Sequence, residues 1–100
     1  MNLSMFTITQ GKGFHMTFSN GCTISVQFGS GNYCSNRDTN FNPSVDHFCE
    51  SPDAEIAVWD QGHNFITREF FPDLNDDVID HLSTNHVLDL MIEVATRSKP

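Results

Sequence analysis

Apolar and polar residues alternate in the first third of the chain, and this pattern predicts an antiparallel β-hairpin over residues 14–28. A three-residue loop, Ser19-Asn20-Gly21, places Phe14 opposite Val26, so that apolar side chains meet across the hairpin. A two-residue loop would shift the register by one and mix the two faces. Gly21 is then expected in the left-handed conformation that closes such a loop. The predicted core face contains Phe14, Met16, Phe18, Cys22, Ile24, Val26 and Phe28.

The remaining alternation predicts three more strands. Residues 5–9 form a short strand before the hairpin, and residues 54–59 form another, with Ile56 and Val58 facing inward. After a turn at residues 60–64, residues 65–70 are expected to return as the partner strand of a second hairpin, 54–70, which Pro72 ends.

A helix is predicted over about residues 84–97. Ser83 is a favourable N-cap, and apolar residues follow it at helical spacing. Leu90 and Ile92 widen the apolar face, so we expect the helix to be well buried. The order of elements predicts an α+β fold of one domain, residues 1–100: an antiparallel sheet of about five strands covered by one helix.

The net charge of −8 is unevenly distributed along the chain. Residues 1–37 contain Lys12 and Arg37 and no acid, so all 13 acidic residues lie in residues 38–100. Such a chain should not bind DNA or an anionic membrane directly, because phosphate binding requires clustered cations. No apolar run is long enough for a membrane span, the N-terminus lacks the pattern of a signal peptide, and three cysteines fit a reducing compartment. We therefore expect a cytoplasmic protein, and self-association stays open.

The segment 29–53 lacks periodicity, and its first part is the best candidate for a binding site. Backbone N–H groups around Gly29, Ser30 and Gly31 could form a concavity for an anion, since successive amides form such sites. Side chains further along the segment could close the site. The arginine among them could pair with a phosphate or carboxylate, and the tyrosine could stack on a nucleotide base. These side chains are Asn32, Tyr33, Asn36 and Arg37. A short helical turn is expected near residues 44–49.

Two catalytic or metal-based alternatives use the same segment. Cys34, His47 and Cys49 could combine with His15 or His63 around zinc, although no Cys-x-x-Cys pair supports this. Cys34 near Arg37 could also act as a nucleophile with a histidine as base. Neither pattern is specific, so we predict no metal, no cofactor and no catalytic residue.

An acidic stretch precedes the predicted helix. It lacks the ligand spacing and glycine of a calcium-binding loop. Its carboxylates could instead meet Lys and Arg on a protein that normally holds nucleic acid. We call these residues the acidic surface: Asp73, Asp76, Asp77 and Asp80.

The segment 13–37, GFHMTFSNGCTISVQFGSGNYCSNR, resembles a motif in small proteins of phages and prophages, most of them uncharacterised. In that motif a run FHxTFxNGxTxSVQxGxGNYCxN precedes a segment similar to AEIAVWD, which here is residues 54–60. The resemblance covers about half of the chain and implies a context, not a reaction. It implies a small accessory protein of a mobile element, for which binding and inhibition are common tasks.

These observations lead to three functional hypotheses. The first is a non-enzymatic phage-type inhibitor of a host antiviral defence protein, similar to an anti-CRISPR, whose acidic surface meets a basic channel with Tyr33 and Arg37 as anchors. The second is a sponge that binds a nucleotide immune signal through residues 29–37. The third is a small hydrolase.

Overall fold

A five-stranded antiparallel sheet with its strands in chain order forms the scaffold of the protein. The structure, a computed structural model, describes residues 3–10, 12–39 and 50–98. The elements are β1 (Met5–Ile8), β2 (Gly13–Thr17), β3 (Thr23–Gln27), β4 (Asp53–Trp59), α1 (Thr67–Phe70), β5 (Val78–Ser83) and α2 (Thr84–Ala95). The predicted α+β fold, with a C-terminal helix on an antiparallel sheet, is confirmed.

The first predicted hairpin has the expected register. Phe14 lies opposite Val26 in the β2–β3 pair. The three-residue loop is closed by a hydrogen bond from the Phe18 amide to the Cys22 carbonyl, at 2.9 Å. Gly21 has a φ of +86°, in the left-handed region that side chains with a Cβ rarely adopt. The alternation of apolar residues therefore determined both the strand faces and the turn.

The core lies between α2 and the middle of the sheet. Ile24, Ile56 and Val58 from β3 and β4 are 0% exposed, and they share a cluster with Leu90 and Val94 of α2. Alternating side chains of β4 point to this core, as the sequence predicted. Burial of such aliphatic side chains contributes about 1.5–3 kcal/mol each, so this layer is the main source of stability.

The predicted second strand of the 54–70 hairpin is wrong. Phe65 forms only an isolated bridge with Trp59, and residues Thr67–Phe70 form the short helix α1. The reason lies in Thr67, which is 1% exposed and whose Oγ1 accepts a hydrogen bond from the Val58 amide at 3.0 Å. A side chain thus takes the place of a backbone carbonyl, and the strand pairing stops there.

The fifth strand is β5, which includes the end of the acidic stretch. β5 pairs with β4, but its register shifts between Ala54 and Ile56. Ala54 lies opposite Leu82 and Ile56 opposite Ile79, so β5 has one extra residue there. This β-bulge places His81 at a φ of +50°.

The helix is shorter and less buried than predicted. α2 begins after Ser83, whose side chain accepts a hydrogen bond from the His86 amide, but it ends at Ala95. Leu88 and Ile92 are each 56% exposed, because only one face of a 12-residue helix can pack on a sheet. The expectation of a well-buried helix was therefore wrong for these two side chains.

The predicted helical turn near residues 44–49 lies outside the described residues. Within residues 3–10, 12–39 and 50–98, no helix has the length and apolar character needed to span a membrane.

Candidate functional site

The segment 29–37 is a loop that folds around Cys34. This side chain is 2% exposed, and its Sγ lies 3.8 Å from the Gly29 carbonyl and accepts a hydrogen bond from the Asn36 amide at 3.4 Å. The Asn36 side chain donates to the Phe28 carbonyl at 2.8 Å and to the Glu50 carbonyl at 2.7 Å. The buried thiol and the amide together give this loop a defined shape despite its lack of secondary structure.

Two carboxylates from β4 bind the backbone of this loop. The Tyr33 amide donates to Glu55 Oε2 at 2.9 Å, and the Ser35 amide donates to Asp53 Oδ1 at 2.6 Å. The Ser35 hydroxyl donates to Asp53 Oδ2 at 2.6 Å as well. These are charge-assisted hydrogen bonds, which are stronger than neutral ones.

Two of the backbone donors predicted for an anion, the amides of Gly29 and Gly31, also have partners within the loop. The Gly29 amide donates to the Asn32 side chain at 3.0 Å, and the Gly31 amide donates to the Arg37 carbonyl at 2.9 Å. Gly31 has a φ of +84°, which explains why glycine occupies this position. The protein's own oxygens thus bind two of the three amides predicted for an anion, and the carboxylates of Asp53 and Glu55 bind amides further along the same loop.

Side chains on the outer surface of the loop remain available to a partner. Tyr33 is 47% exposed, and the Arg37 guanidinium lies 5.2 Å from the centre of its ring, within the range of a cation–π contact. The Lys12 ammonium also approaches the loop, since it lies 3.9 Å from where a Cβ on Gly31 would be. The two cations of the acid-free segment 1–37 therefore come to the same loop.

A hydrogen bond joins the loop to the acidic surface. The His81 amide, at the bulge in β5, donates to the Tyr33 carbonyl at 3.0 Å. Asp80, the residue before His81, is exposed on the same strand. Of the acidic surface, Asp80 is therefore the residue that this hydrogen bond brings next to the loop.

The four aspartates of the acidic surface differ in their surroundings. Asp73, Asp76 and Asp80 are exposed. Asp77 is half-buried and forms an ion pair with Arg68, at 3.2 Å. The negative charge available to a partner therefore comes mainly from the three exposed aspartates.

Sequence reasoning missed two further carboxylates on α2. Asp89 and Glu93 are exposed one turn apart and line a groove of about 400 Å³. Their spacing of four residues, which places them on one side of a helix, was the available signal. We call this feature the acid-rimmed groove, and its lining consists of Phe70, Phe71, Leu82, His86, Asp89, Leu90 and Glu93.

Asp53 and Glu55 were also missed as parts of the loop site. Both alternate with the buried Ala54 and Ile56 in β4, so their positions on the opposite face were readable from the sequence. The hydrogen bond from the Ser35 hydroxyl is the main cause that holds the pKa of Asp53 below its ordinary value, against the opposing effect of burial. Because its pKa is lowered, the Asp53 carboxylate keeps its charge to a lower pH than an ordinary aspartate does.

The catalytic and metal alternatives gain no geometric support from the described residues. Cys34 is buried inside the loop, so a substrate cannot reach its sulfur. In the part of the chain that the structure describes, no group of three His, Cys, Asp or Glu side chains could hold a metal ion. His47 and Cys49 lie outside the described residues.

A scan against protein-family models found no match, and searches of curated proteins and of solved structures found none either. The resemblance to phage and prophage proteins therefore stays a prediction.

Proposed function

We propose that the protein is a non-enzymatic inhibitor that binds a basic surface on a host antiviral defence component. Its acidic surface would occupy a channel that otherwise holds nucleic acid, as an anti-CRISPR does. The phage-type context of this proposal rests on the sequence resemblance, and the mode of binding rests on the geometry of the loop and of β5.

One observation carries the proposal: Asp53 and Glu55 bind the backbone amides of the 29–37 loop. A loop whose amides already bind carboxylates offers an incoming phosphate few donors and an opposing negative charge. The same loop is joined through Tyr33 to the strand that carries Asp80. An exposed aromatic beside exposed carboxylates suits a basic protein partner, since Tyr is a frequent anchor and carboxylates steer the encounter.

The acid-rimmed groove supports the same class of partner. Phe70, Phe71 and Leu82 provide an apolar surface, and Asp89 and Glu93 provide negative charge. Lys and Arg side chains have apolar stems and charged ends, so they match a groove of this composition. Asp73 follows Phe71 by two residues, which places the groove close to the acidic surface along the chain.

A phage-challenge experiment tests the proposal. The protein is expressed in a bacterium whose CRISPR–Cas system targets a phage, and the efficiency of plating is measured. We expect the natural chain to restore plating and Asp73→Asn/Asp76→Asn to lose most of that effect. The matched control is Asp38→Asn/Glu50→Gln, which removes the same charge from exposed residues outside the acidic surface. If both double variants lose the same share of the plating effect, only the net charge matters. If the natural chain does not restore plating, the proposal of a CRISPR–Cas target is wrong.

A second candidate, a sponge for a nucleotide signal, is favoured by one observation. Lys12 and Arg37 both approach the loop, and the exposed ring of Tyr33 is available for stacking. A nucleotide would have to bind these side chains without the backbone amides. Calorimetry with cyclic dinucleotides tests this, and binding that Arg37→Ala abolishes would favour the sponge over the inhibitor.

A further inference from the structure

The two carboxylates at the rim of the acid-rimmed groove are not neutralised by neighbouring cations. Asp89 and Glu93 are exposed on α2. Among the residues that the structure describes, no ion pair or hydrogen bond reaches either side chain. Arg68 and Arg97 each pair with another acidic residue, at 3.2 Å and 2.8 Å. The negative charge at this rim is therefore available to a partner.

The floor of the groove is apolar. Phe70, Phe71 and Leu82 are half-buried, so part of each side chain still contacts solvent. A nucleic acid or an anionic membrane carries phosphates, which the rim repels. A partner with cations alone would leave the floor uncovered. The groove is therefore complementary to a segment that carries cations and apolar side chains on the same side.

The spacing of the two carboxylates fits a second helix. Asp89 and Glu93 are four residues apart in α2, which corresponds to about 6 Å along the helix axis. Lys or Arg side chains at positions i and i+4 of another helix have the same separation. A helix that lies along α2 in this way places its adjacent apolar stripe on the floor of the groove.

The neighbouring edge of the sheet does not favour an extended partner. β5 is an edge strand and contributes Leu82 to the groove, but its pairing with β4 is interrupted by the bulge. His81 has a φ of +50°, and its amide already donates to the Tyr33 carbonyl at 3.0 Å. Bulges of this kind hinder the addition of a further strand. A helix needs no such backbone pairing.

We propose, resting on the proposed function of binding a basic protein, that the acid-rimmed groove binds a basic amphipathic helix of that partner. Lys or Arg residues at i and i+4 of the helix pair with Asp89 and Glu93. The apolar stripe of the helix packs against Phe71 and its neighbours on the floor.

Fluorescence anisotropy with a labelled synthetic peptide tests this binding at low salt. The probe has about 15 residues of Leu, Ala and Lys, with Leu at helical spacing and Lys at i and i+4. We expect the natural chain to bind it, and Asp89→Asn/Glu93→Gln to raise the dissociation constant about fivefold or more, as for the loss of two partly exposed ion pairs.

The matched control is Asp38→Asn/Glu50→Gln, which removes the same charge from exposed residues that do not line the groove. It should change the dissociation constant less than about twofold, because distant exposed charges are screened. Far-UV circular dichroism checks that each variant is folded. If the two double variants weaken binding equally, only net charge attracts the peptide and the groove is not the site.

Two further peptides test the helix without changing the protein. One has the same composition in scrambled order and lacks the apolar stripe, and the other has Pro at its centre, which breaks a helix. Both should bind about fivefold more weakly or less. Equal binding of the scrambled peptide excludes a role for the floor, and equal binding of the Pro peptide means that the partner segment is extended. Either result overturns the proposal, as does a natural chain that binds none of the peptides.

The outcome is independent of the phage-challenge experiment, because no defence protein is present. A chain that restores plating but binds no peptide keeps the proposed function and loses the helix site. A chain that binds the peptide through Asp89 and Glu93 but does not restore plating keeps the helix site and loses the CRISPR–Cas target.

Discussion

Asn20, in the turn between β2 and β3, donates a hydrogen bond from its side-chain amide to the Val94 carbonyl at 2.8 Å. The same nitrogen lies 3.1 Å from the Arg97 carbonyl, and the Asn20 Oδ1 accepts from the Cys22 amide at 3.0 Å. The last carbonyls of a helix have no partner within the helix. A residue of the first hairpin therefore caps the C-terminal end of α2, 74 positions away in the chain.

The first prediction concerns this cap. Asn20→Ala should lower the free energy of unfolding by about 1–3 kcal/mol, because it removes a side-chain donor from the part-buried carbonyls of Val94 and Arg97. Asn20→Asp should cost more, since it places a carboxylate against carbonyl oxygens at the negative end of the helix. Urea unfolding measures both. The control is Asn85→Ala, at an exposed position of α2, which should change the free energy of unfolding little. If Asn85→Ala destabilises the protein as much as Asn20→Ala does, the effect does not come from the cap.

Gly21 provides the second prediction. A Cβ at this position would lie 2.9 Å from the Gln61 Cβ, and the φ of +86° is unfavourable for any residue with a side chain. Gly21→Val should therefore cost at least roughly 1–3 kcal/mol, the usual range for such backbone strain. Thermal melting should show a fall of about 5–20 °C.

The control for Gly21 is Gly31→Ala. Gly31 has a similar φ of +84°, but a Cβ there would meet only the end of Lys12, at 3.9 Å. A smaller loss for Gly31→Ala than for Gly21→Ala would separate the contact with Gln61 from the backbone strain. An unchanged melting temperature for Gly21→Val would contradict the assigned turn.

The sequence predicted elements whose periodicity was unbroken and failed where a side chain or a bulge interrupted it. The 14–28 hairpin alternates regularly, so its register and turn followed directly. In β5 the core residues Ile79 and Leu82 are three positions apart, because the bulge adds one residue, and this spacing conceals a strand. The opposite error occurred at residues 65–70, where the pattern predicted a strand. The hydrogen bond from the Val58 amide to the Thr67 hydroxyl, which stops the strand pairing, cannot be recognised in the sequence.

The candidate site was predictable in part for a similar reason. The density of small polar residues identified the 29–37 loop, and the aspartate stretch identified the acidic surface. The residues that join and fill the loop come from β4 and β5, at separations of 18 or more positions in the case of Asp53 and Glu55. Such contacts depend on strand order, which local patterns do not specify.

The third prediction is a dependence of stability on pH through Asp53. Its pKa is lowered in the folded protein, mainly by the Ser35 hydroxyl, so the unfolded chain binds a proton more readily. The stabilisation is fully present above the ordinary pKa of an aspartate and is lost as the pH falls through the lowered value. Asp53→Asn should melt below the natural chain at pH 6, and the difference should shrink towards pH 2–3. If the difference in melting temperature between Asp53→Asn and the natural chain does not change with pH, the stabilisation does not depend on the charge of Asp53.

The fourth prediction separates the two functional candidates by charge. For a basic protein partner, neutralising Asp73, Asp76 and Asp80 to Asn should slow association and flatten its dependence on salt, because steering by exposed charges is screened by ions. Asp77 stays unchanged because it pairs with Arg68. Arg37→Ala should then have a moderate effect.

For a nucleotide ligand the order of these effects is reversed. Arg37→Ala should cost roughly 1.5–3 kcal/mol of binding free energy, the range for a hydrogen bond to a charged group. The triple Asn variant should bind as well as the natural chain or slightly better, because it removes negative charge near the ligand. Surface plasmon resonance at two salt concentrations, with the captured defence protein and with a cyclic dinucleotide, measures both variants. If neither variant changes either interaction, the 29–37 loop and the acidic surface are not the binding site, and the Tyr33–Arg37 contact serves only to hold the loop.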